Sequence, residues 1–270
     1  MIEDRGLLLE HCVIAARAAG AEILQLVAAG FDVETKGDES PVTVCDRAAE
    51  RIILDALRDC APGVPVIAEE EVAAGRIPAH GDTYFLVDPL DGTKEFVRGG
   101  SDYTVNIGLI VGQEPVLGVV YQPAENLLWG GLVCGGAFRE GEERMAIAVR
   151  ELGDERAAVA SKSHFNQATA DYLERAIGAC NYVSVGSSLK FCIVAEGRAD
   201  IYPRLSPTSE WDTAAGHAVL LAAGGRVDDP QGSALRYGKP SFLNSGFCAT
   251  AGWRAPPVAP FLPDFTKSGL

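Results

Sequence analysis

Apolar residues recur with a helical period in two segments near the N-terminus. Residues 7–29 carry apolar side chains at helical spacing, which predicts an amphipathic helix that ends near Gly30. A second set follows the i, i+3, i+4, i+7, i+8, i+11 pattern: Ala49, Ile52, Ile53, Ala56, Leu57 and Cys60. It predicts a second helix with Asp46 at its N-terminal edge. Between the two helices we expect a short strand over 31–36 and a turn over 37–41.

From Val64 onward the apolar runs become short and are bounded by Gly and Pro, a pattern typical of strands. We predict strands over residues 65–68, 84–87, 103–111, 115–121 and 127–133. The first half should therefore combine two helices with a mostly antiparallel sheet. In the second half, strands at 157–160, 182–185 and 200–202 alternate with helices at 166–178, 188–196 and 210–223, which is an α/β rhythm.

The domain organisation is less marked, because the chain shows no repeat, linker or low-complexity segment. Our hypothesis divides it into an α+β half over 1–150 and an α/β half over 151–270. With 47% hydrophobic residues in 270, there is enough apolar material for one large core or two packed halves. The Gly-Gly pairs that begin at 99, 130, 135 and 224 are interpreted as turns and helix ends. The proline-rich tail from Ala255 is expected to be irregular surface chain.

Cysteine usage and hydropathy indicate the cellular compartment. Seven cysteines, at 12, 45, 60, 134, 180, 192 and 248, form no C-x-x-C pair, which favours a reducing cytoplasm over a disulfide framework. Charged residues interrupt the first apolar stretch, so it lacks the uninterrupted core of a signal peptide. No other segment approaches the ~18 apolar residues that span a bilayer. We expect a cytoplasmic protein without a transmembrane segment; its oligomeric state and a peripheral association with the inner membrane are left open.

The formal net charge of −14 and the pI near 4.7 limit the choice of partners. Nucleic-acid polymers are bound through clustered Lys and Arg, so this surface would repel them. A small anionic substrate requires a local reversal of the field. Bound divalent cations are the usual means in a site rich in carboxylates.

Three acidic features follow an apolar strand or open a helix, where side chains can converge on one cleft. They are Glu69-Glu70-Glu71, the segment Asp88-Pro89-Leu90-Asp91-Gly92-Thr93, and Asp212. Taken alone, the glutamate run is more simply a solvated face. For Asp88 and Asp91 that alternative is weaker, because a tight turn after a strand can point both carboxylates the same way. Such a pair repels unless a cation lies between its members.

The acidic features suit magnesium, which prefers oxygen ligands from a few carboxylates together with substrate phosphate. In this hypothesis Asp88 bridges two ions. The first ion also binds Glu69 and the Leu90 carbonyl. The second also binds Asp91 and Asp212.

Two glycine turns are candidate phosphate sites. If a helix starts after Gly92, the N–H groups of Gly92 and Thr93 would cradle a phosphate. The turn over 186–188 opens another predicted helix, and Lys190 would add a countercharge for a second phosphate. Lys190 taken alone is more simply an exposed helix lysine. Other chemistries lack support: there is no G-x-S-x-G, P-loop or H-E-x-x-H, and His11 and His217 fit structural roles within helices.

The acidic motifs, with Trp211-Asp212-Thr213-Ala214-Ala215-Gly216, resemble in order and content the signature of the inositol monophosphatase superfamily. Further residues resemble its CysQ-type 3'(2'),5'-bisphosphate nucleotidases: Ser40-Pro41-Val42-Thr43 before Asp46, Lys94-Glu95-Phe96, Gly186 to Cys192, and Tyr202-Pro203-Arg204. The similarity extends from about residue 10 to residue 250. Cys45 stands where a small residue is usual, and Glu71 extends the acidic pair, but neither change removes a ligand.

The resemblance implies an α-β-α-β-α sandwich and a lithium-sensitive hydrolase, with two or three Mg²⁺ ions, that converts adenosine 3',5'-bisphosphate to AMP and phosphate in sulfate assimilation. It assigns metal binding to Glu69, Asp88, Leu90, Asp91 and Asp212. It assigns orientation of the attacking water to Glu69, Thr93 and Asp46. It places the nucleotide against Asp91, Gly92, Thr93, Ser161, His164, Ser187, Ser188, Lys190, Arg204 and Asp212.

The expected reaction is an in-line attack of water on the 3'-phosphorus, with ions roughly 4 Å apart stabilising the attacking and leaving oxygens. Two alternatives remain open. An inositol or fructose-bisphosphate phosphatase would use the same metal ligands, and the residues after Thr93 and around Lys190 favour the nucleotidase. A catalytically silent, metal-regulated binding protein would keep the fold, but the presence of every proposed ligand argues against it.

Overall fold

The computed structural model describes residues 4–30, 33–35, 41–178 and 181–262. The helices and strands of the first half follow in chain order: α1 (Arg5–Ala29), β1 (Val33–Thr35), β2 (Pro41–Thr43), α2 (Val44–Cys60), β3 (Val66–Ala68), α3 (Glu69–Ala73), β4 (Thr83–Asp91), α4 (Thr93–Val97), β5 (Thr104–Val111), β6 (Glu114–Gln122), β7 (Leu127–Leu132), β8 (Gly136–Glu140) and β9 (Arg144–Ile147). The two predicted helices and five predicted strands are confirmed. The predicted turn over 37–41 lies mostly outside the described residues, as do Ser40 and Cys180.

The second half alternates as predicted up to its last helix. Its elements are β10 (Ala157–Ser161), α5 (Gln167–Ile177), β11 (Asn181–Val185), α6 (Leu189–Ala195), β12 (Ile201–Arg204), β13 (Thr208–Ser209), α7 (Trp211–Ala222), β14 (Arg226–Asp228), β15 (Leu243–Asn244) and β16 (Phe247–Thr250). Short 3-10 turns cover Pro123–Glu125 and Ala259–Phe261. The sequence analysis missed β2, α3, β8 and β9 and all strands after β12.

Side-chain caps explain where the first two helices begin. The Asp4 carboxylate accepts the N–H of Leu7 at 2.9 Å and starts α1. Thr43 and Asp46 form a capping box at the start of α2, in which each side chain meets the backbone N–H of the other's segment. Asp46, which the sequence predicts at the N-terminal edge of the second helix, therefore helps to end β2 and to start α2.

Two large sheets organise the molecule. The first has seven strands in the order β3-β4-β5-β6-β7-β8-β9, of which only β3 and β4 are parallel, in agreement with the predicted antiparallel character. The second has five strands in the order β11-β10-β12-β16-β14, with β10 parallel to both of its neighbours. Two small two-stranded sheets, β1-β2 and β13-β15, complete the described strands.

The layers run α-β-α-β-α, as the resemblance implies. Helices α1 and α2 pack together on one face of the seven-stranded sheet. Helices α6 and α7 fill the space between the two sheets, and α7 contacts β5, β6 and β7 of the first. Helix α5 covers the outer side of the second sheet through Tyr172, Leu173 and Ile177. The candidate site lies at the border of the two sheets, beside the inner helices.

Helix α1 is long and apolar enough to cross a membrane by length and composition alone. A buried core helix passes the same test. Here α1 buries nine of its residues, among them Cys12, Ala16 and Ile23, and contacts α2 and β6. Its contacts are those of a helix that packs within a globular core.

The interpretation of the glycine pair at 130 as a turn is wrong. Gly130 and Gly131 lie inside β7. A Cβ on Gly130 would come within 2.3 Å of the Phe138 ring, and one on Gly131 within 2.6 Å of the Val219 Cα atom in α7. These glycines are required because neighbouring groups occupy the space of a side chain, which a local turn pattern does not reveal. The pairs at 99 and 224 follow helix ends, and Gly135 lies in a turn, but Gly136 is the first residue of β8.

Candidate active site

A cleft of about 260 Å³ opens at the border of the two sheets. It is lined by the end of β4, the starts of α3, α4 and α7, the turn before α6, and the ends of β10 and β12. Every predicted site residue except Asp46 lines it: Glu69, Asp88, Leu90, Asp91, Gly92, Thr93, Ser161, His164, Ser187, Ser188, Lys190, Arg204 and Asp212. The structure therefore brings together residues that are separated by more than a hundred positions in the chain.

The end of β4 departs from regular pairing and presents Asp88, Leu90 and Asp91 to the cleft. Its register with β5 shifts between Asp88 and Asp91. The Leu90 N–H donates to the Asp88 carboxylate at 3.0 Å, and the Thr93 hydroxyl donates to the Leu90 carbonyl at 3.0 Å. Gly92, at φ +93°, reverses the chain before α4. The two aspartates and one carbonyl oxygen thus share a single irregular turn.

The remaining carboxylates come from two helix starts. Glu69 is the first residue of α3, directly after β3. The next N–H, that of Glu70, donates to the buried Glu50 carboxylate at 2.8 Å, which holds this helix start against α2. Asp212 lies in the first turn of α7 and accepts the Ser209 N–H at 3.0 Å. Strand ends and helix starts thus converge on the acidic end of the cleft.

Crowding of these carboxylates changes their acidity. Burial, with Glu69, Asp91 and Asp212 nearby, raises the pKa of Asp88 well above its usual value. Burial, together with Asp91 and Glu69, does the same to the pKa of Asp212. Burial raises the pKa of Asp91 to about 6, although the Lys190 ammonium opposes the increase. Without a cation the acidic end therefore favours partial protonation, as expected for a site built to hold positive charge.

The donor set fits a hard divalent cation, because it consists of carboxylate oxygens and one carbonyl oxygen. Within the described ranges, no three His, Cys, Asp or Glu side chains already stand close enough to hold an ion together. A bound cation would offset both the burial and the mutual repulsion that raise the pKa values of Asp88 and Asp212.

Asp46 lies outside the cleft lining and is 3% exposed. Its carboxylate accepts both the N–H and the hydroxyl of Thr43 at 2.7 Å. Burial, with Glu69 nearby, raises the pKa of Asp46. No described contact links Asp46 to Thr93, so a part in orienting water stays a prediction.

Basic side chains line the same cleft. Lys190 is only 3% exposed, which contradicts the simple alternative of an exposed helix lysine. Its ammonium donates to the Val185 carbonyl at 3.3 Å and to the Ser187 carbonyl. Burial lowers the pKa of Lys190 to about 8, against the attraction of Asp91. Arg204, which is partly exposed, also lines the cleft.

The proposed helix-terminus sites are weaker than the sequence suggests. Helix α4 has five residues and α6 has seven. Helices of fewer than two or three turns add few aligned peptide dipoles, so a phosphate there would depend on individual N–H groups and on the cations nearby.

Sequence reasoning missed the polar side chains of β5 that support the site. Asn106 accepts the Ser188 hydroxyl at 2.7 Å and donates to the Asp91 carboxylate at 3.4 Å. Thr104 shares a hydrogen bond with the Ser188 hydroxyl at 2.9 Å. Both β5 residues are fully buried. The sequence does carry a signal for them, because Thr104 and Asn106 are two polar residues at alternate positions in an otherwise apolar strand.

The comparisons with known proteins agree with this geometry. The inositol monophosphatase family pattern matches residues 7–257. The chain is 46% identical over 235 residues to 3'(2'),5'-bisphosphate nucleotidase CysQ of Escherichia coli (strain K12), covering 86% of this chain and 95% of that protein. It is 34% identical over 239 residues to inositol monophosphatase 2 of Solanum lycopersicum, covering 83% and 89%.

A crystal structure of CysQ from Bacteroides thetaiotaomicron shares the fold with a TM-score of 0.76 and 35% identity, over 91% of this chain and 97% of that one. The chain thus belongs to the inositol monophosphatase family. Within that family, its identity to the Escherichia coli CysQ is higher than its identity to the Solanum lycopersicum inositol monophosphatase.

Proposed function

We propose that the protein is a magnesium-dependent phosphatase that removes the 3'-phosphate of adenosine 3',5'-bisphosphate to give AMP and phosphate, as a step of sulfur assimilation. The observation that carries this proposal is a single cleft lined both by carboxylates and by the cations Lys190 and Arg204. A bisphosphate needs two anion sites; metal ions held by the carboxylates would supply one, and the two cations would supply the other. The 46% identity to a bisphosphate nucleotidase supports the same substrate class.

The residues of the chain have separate tasks in this proposal. Glu69, Asp88, the Leu90 carbonyl, Asp91 and Asp212 would hold two or three Mg²⁺ ions. Bound magnesium would supply charge for the developing oxyanions and acidify water in its shell.

Glu69 and Thr93 would orient the attacking water, and the Glu69 carboxylate would accept its proton; Asp46 would assist in orienting the water. Ser187, Lys190 and Arg204 would hold the second phosphate, beside Ser161, His164 and Ser188. Most of the rate would come from positioning and charge, as is usual for phosphoryl transfer.

The runner-up is an inositol or other sugar phosphatase with the same acidic end. The basic side chains disfavour it, because a monophosphate does not require Lys190 and Arg204 in addition to the metal site. A cytoplasmic location is part of the proposal. Free thiols at the six described cysteines suit a reducing compartment. None of the contacts of α1 described above supports attachment to a membrane.

A phosphate-release panel tests the assignment. We would compare adenosine 3',5'-bisphosphate, adenosine 3'-phosphate, inositol 1-phosphate and fructose 1,6-bisphosphate, each with Mg²⁺ and with EDTA. The bisphosphate should give the highest kcat/KM, and EDTA should abolish release. A preference for inositol 1-phosphate would favour the sugar-phosphatase alternative, and no release from any substrate would favour a silent binding protein.

A further inference from the structure

Asp102 contacts the cleft-lining turn that begins at Gly186. It belongs to the loop between α4 and β5, and its side chain is 19% exposed. One carboxylate oxygen accepts the Gly186 N–H at 3.1 Å and the Lys162 ammonium at 2.5 Å. Gly186 begins the turn that leads into α6 and lines the cleft. A single side chain therefore connects a loop of the first half to a cleft turn of the second.

The backbone of Asp102 also separates the two glycine turns of the site. A Cβ on Gly92 would lie 2.7 Å from the Asp102 carbonyl oxygen. A Cβ on Gly186 would lie 2.8 Å from the same oxygen. Neither turn has room for a side chain, because the Asp102 backbone packs directly against both.

The turn over 186–188 needs external support. Ser187 has φ +44°, a left-handed conformation that L residues other than glycine rarely adopt. Its hydroxyl is buried and has no hydrogen-bond partner in the described part of the chain. The far end of the turn is held by Thr104 and Asn106 through the Ser188 hydroxyl. The near end is held by Asp102.

We propose that Asp102 is a positioning residue that holds Gly186 and Ser187 in place so that Ser187 and Lys190 can meet the second phosphate of the substrate. The inference rests on the proposed function for the identity of that phosphate. Asp102 is not among the residues that line the cleft, so it acts through Gly186. Asn106 holds Ser188 and Asp91 independently, so loss of Asp102 should spare the acidic end.

Kinetics on two substrates test whether Asp102 affects only the binding of the second phosphate. Asp102→Ala should raise KM for adenosine 3',5'-bisphosphate about tenfold or more, the scale of one hydrogen bond to a charged group, with kcat within about twofold. Hydrolysis of adenosine 3'-phosphate should barely change. Asp102→Asn keeps an acceptor for the Gly186 N–H and should recover most of the loss. Lys162→Met removes only an exposed ion pair and should have little effect.

A matched control removes an aspartate that is ion-paired elsewhere. Asp55→Ala breaks the exposed pair with Arg58 on α2 and should leave both substrates unaffected. If Asp102→Ala melts below the assay temperature, Asp102→Ser replaces it, since its short hydroxyl group cannot restore the contact. An equal loss on both substrates would overturn the proposal, because it would indicate general damage.

Amide hydrogen exchange reports on the turn without substrate or metal. In EDTA, peptides that cover residues 183–190 should exchange faster in Asp102→Ala than in wild type, Lys162→Met or Asp55→Ala. Unchanged exchange would overturn the positioning role, whatever the kinetics. If wild type does not hydrolyse the bisphosphate but the exchange difference is present, the proposed function fails and the positioning role stands.

Discussion

Several ionisable residues of the cleft have pKa values that their surroundings shift away from the usual range. Asp88 and Asp212 have raised pKa values because they are buried beside other carboxylates. Lys190 has a lowered pKa because it is buried, although Asp91 favours its charged form. Both kinds of shift disfavour the charged forms, so the site ionises fully only when ligands of opposite charge compensate it.

The first prediction concerns Asp91, one of the crowded carboxylates of the cleft. Asp91→Asn should abolish phosphate release, because it removes the charge of a proposed metal ligand, while the protein stays folded. At pH 7.5 in EDTA, its melting temperature should equal or exceed that of wild type, because one repulsive carboxylate is gone. Parallel melting and activity curves check both statements, and an active variant would contradict the metal assignment.

Lys190 carries the second prediction. Lys190→Met keeps most of the buried stem and removes the ammonium. If that ammonium meets the second phosphate, KM for adenosine 3',5'-bisphosphate should rise roughly ten- to a hundredfold, since such contacts contribute about 1.5–3 kcal/mol. Adenosine 3'-phosphate lacks that phosphate and serves as the internal comparison. A similar loss on both substrates would mean that Lys190 only supports the Val185 and Ser187 carbonyls.

The third prediction is a pH dependence that belongs to His217. Burial lowers the pKa of His217 to about 3, from 6.5, and its ring contacts the Tyr237 hydroxyl at 3.0 Å. Between these values the unfolded chain binds a proton that the native protein excludes. Stability from this group is therefore complete above about pH 6.5 and falls as the pH decreases, by up to about 1.4 kcal/mol per pH unit.

The comparison variant for His217 is His217→Gln, which cannot titrate. The free energy of unfolding, measured by urea denaturation from pH 7.5 to 4.5, should fall less steeply in this variant than in wild type. Identical slopes would show that His217 titrates in the folded protein as it does in the unfolded chain.

At the scale of elements, α7 approaches the seven-stranded sheet unusually closely. Three glycines on adjacent strands face it: Gly108 in β5, Gly118 in β6 and Gly131 in β7. A Cβ on Gly118 would lie 2.2 Å from the Ala215 carbonyl oxygen. Because α7 also carries Asp212, this groove of glycines determines how far that carboxylate stands from the end of β4.

The fourth prediction follows from this close approach. Gly118→Ala should destabilise the fold by about 1–3 kcal/mol through overpacking, and it should lower activity by displacing α7 and Asp212. Gly153→Ala is the matched control, because a Cβ there meets nothing within 4 Å. Melting temperature and phosphate release, measured well below the transition, check the prediction. Equal behaviour of the two variants would contradict it.

At the scale of the whole molecule, the net charge of −14 and the acidic cleft both favour cation binding. Removing a cation leaves several carboxylates close together inside the layers that join the two sheets. Since those layers include α7 and β4, the charge state of the cleft affects the stability of the whole fold.

The fifth prediction is that Mg²⁺ raises the melting temperature, because it binds the native state in preference to the unfolded chain. A concentration a hundred times Kd would add about 2.7 kcal/mol. EDTA should reverse the shift, and lithium should inhibit phosphate release at saturating Mg²⁺, as the family resemblance implies. An unchanged melting curve together with full activity in EDTA would contradict the magnesium requirement.

The sequence by itself determined the long elements and the acidic motifs, because periodicity over α1 and α2 and the order of residues from Asp88 to Thr93 are local properties of the chain. The strands after β12 escaped detection. Most of them have two to four residues, and they exist only through pairing with distant partners such as β12 with β16. Local pattern has too few positions there to distinguish a strand from a loop.

Only the tertiary structure decided the environment of each site residue. Taken alone in the sequence, Lys190 is more simply an exposed helix lysine. It is buried, because α6 lies between two sheets whose arrangement the sequence does not reveal. Asp46 matched a catalytic motif and is also part of the Thr43 capping box. The glycines that face α7 read as turns or as ordinary strand residues. In each case the deciding contact joins residues far apart in the chain, and burial, pKa and close packing depend on such contacts.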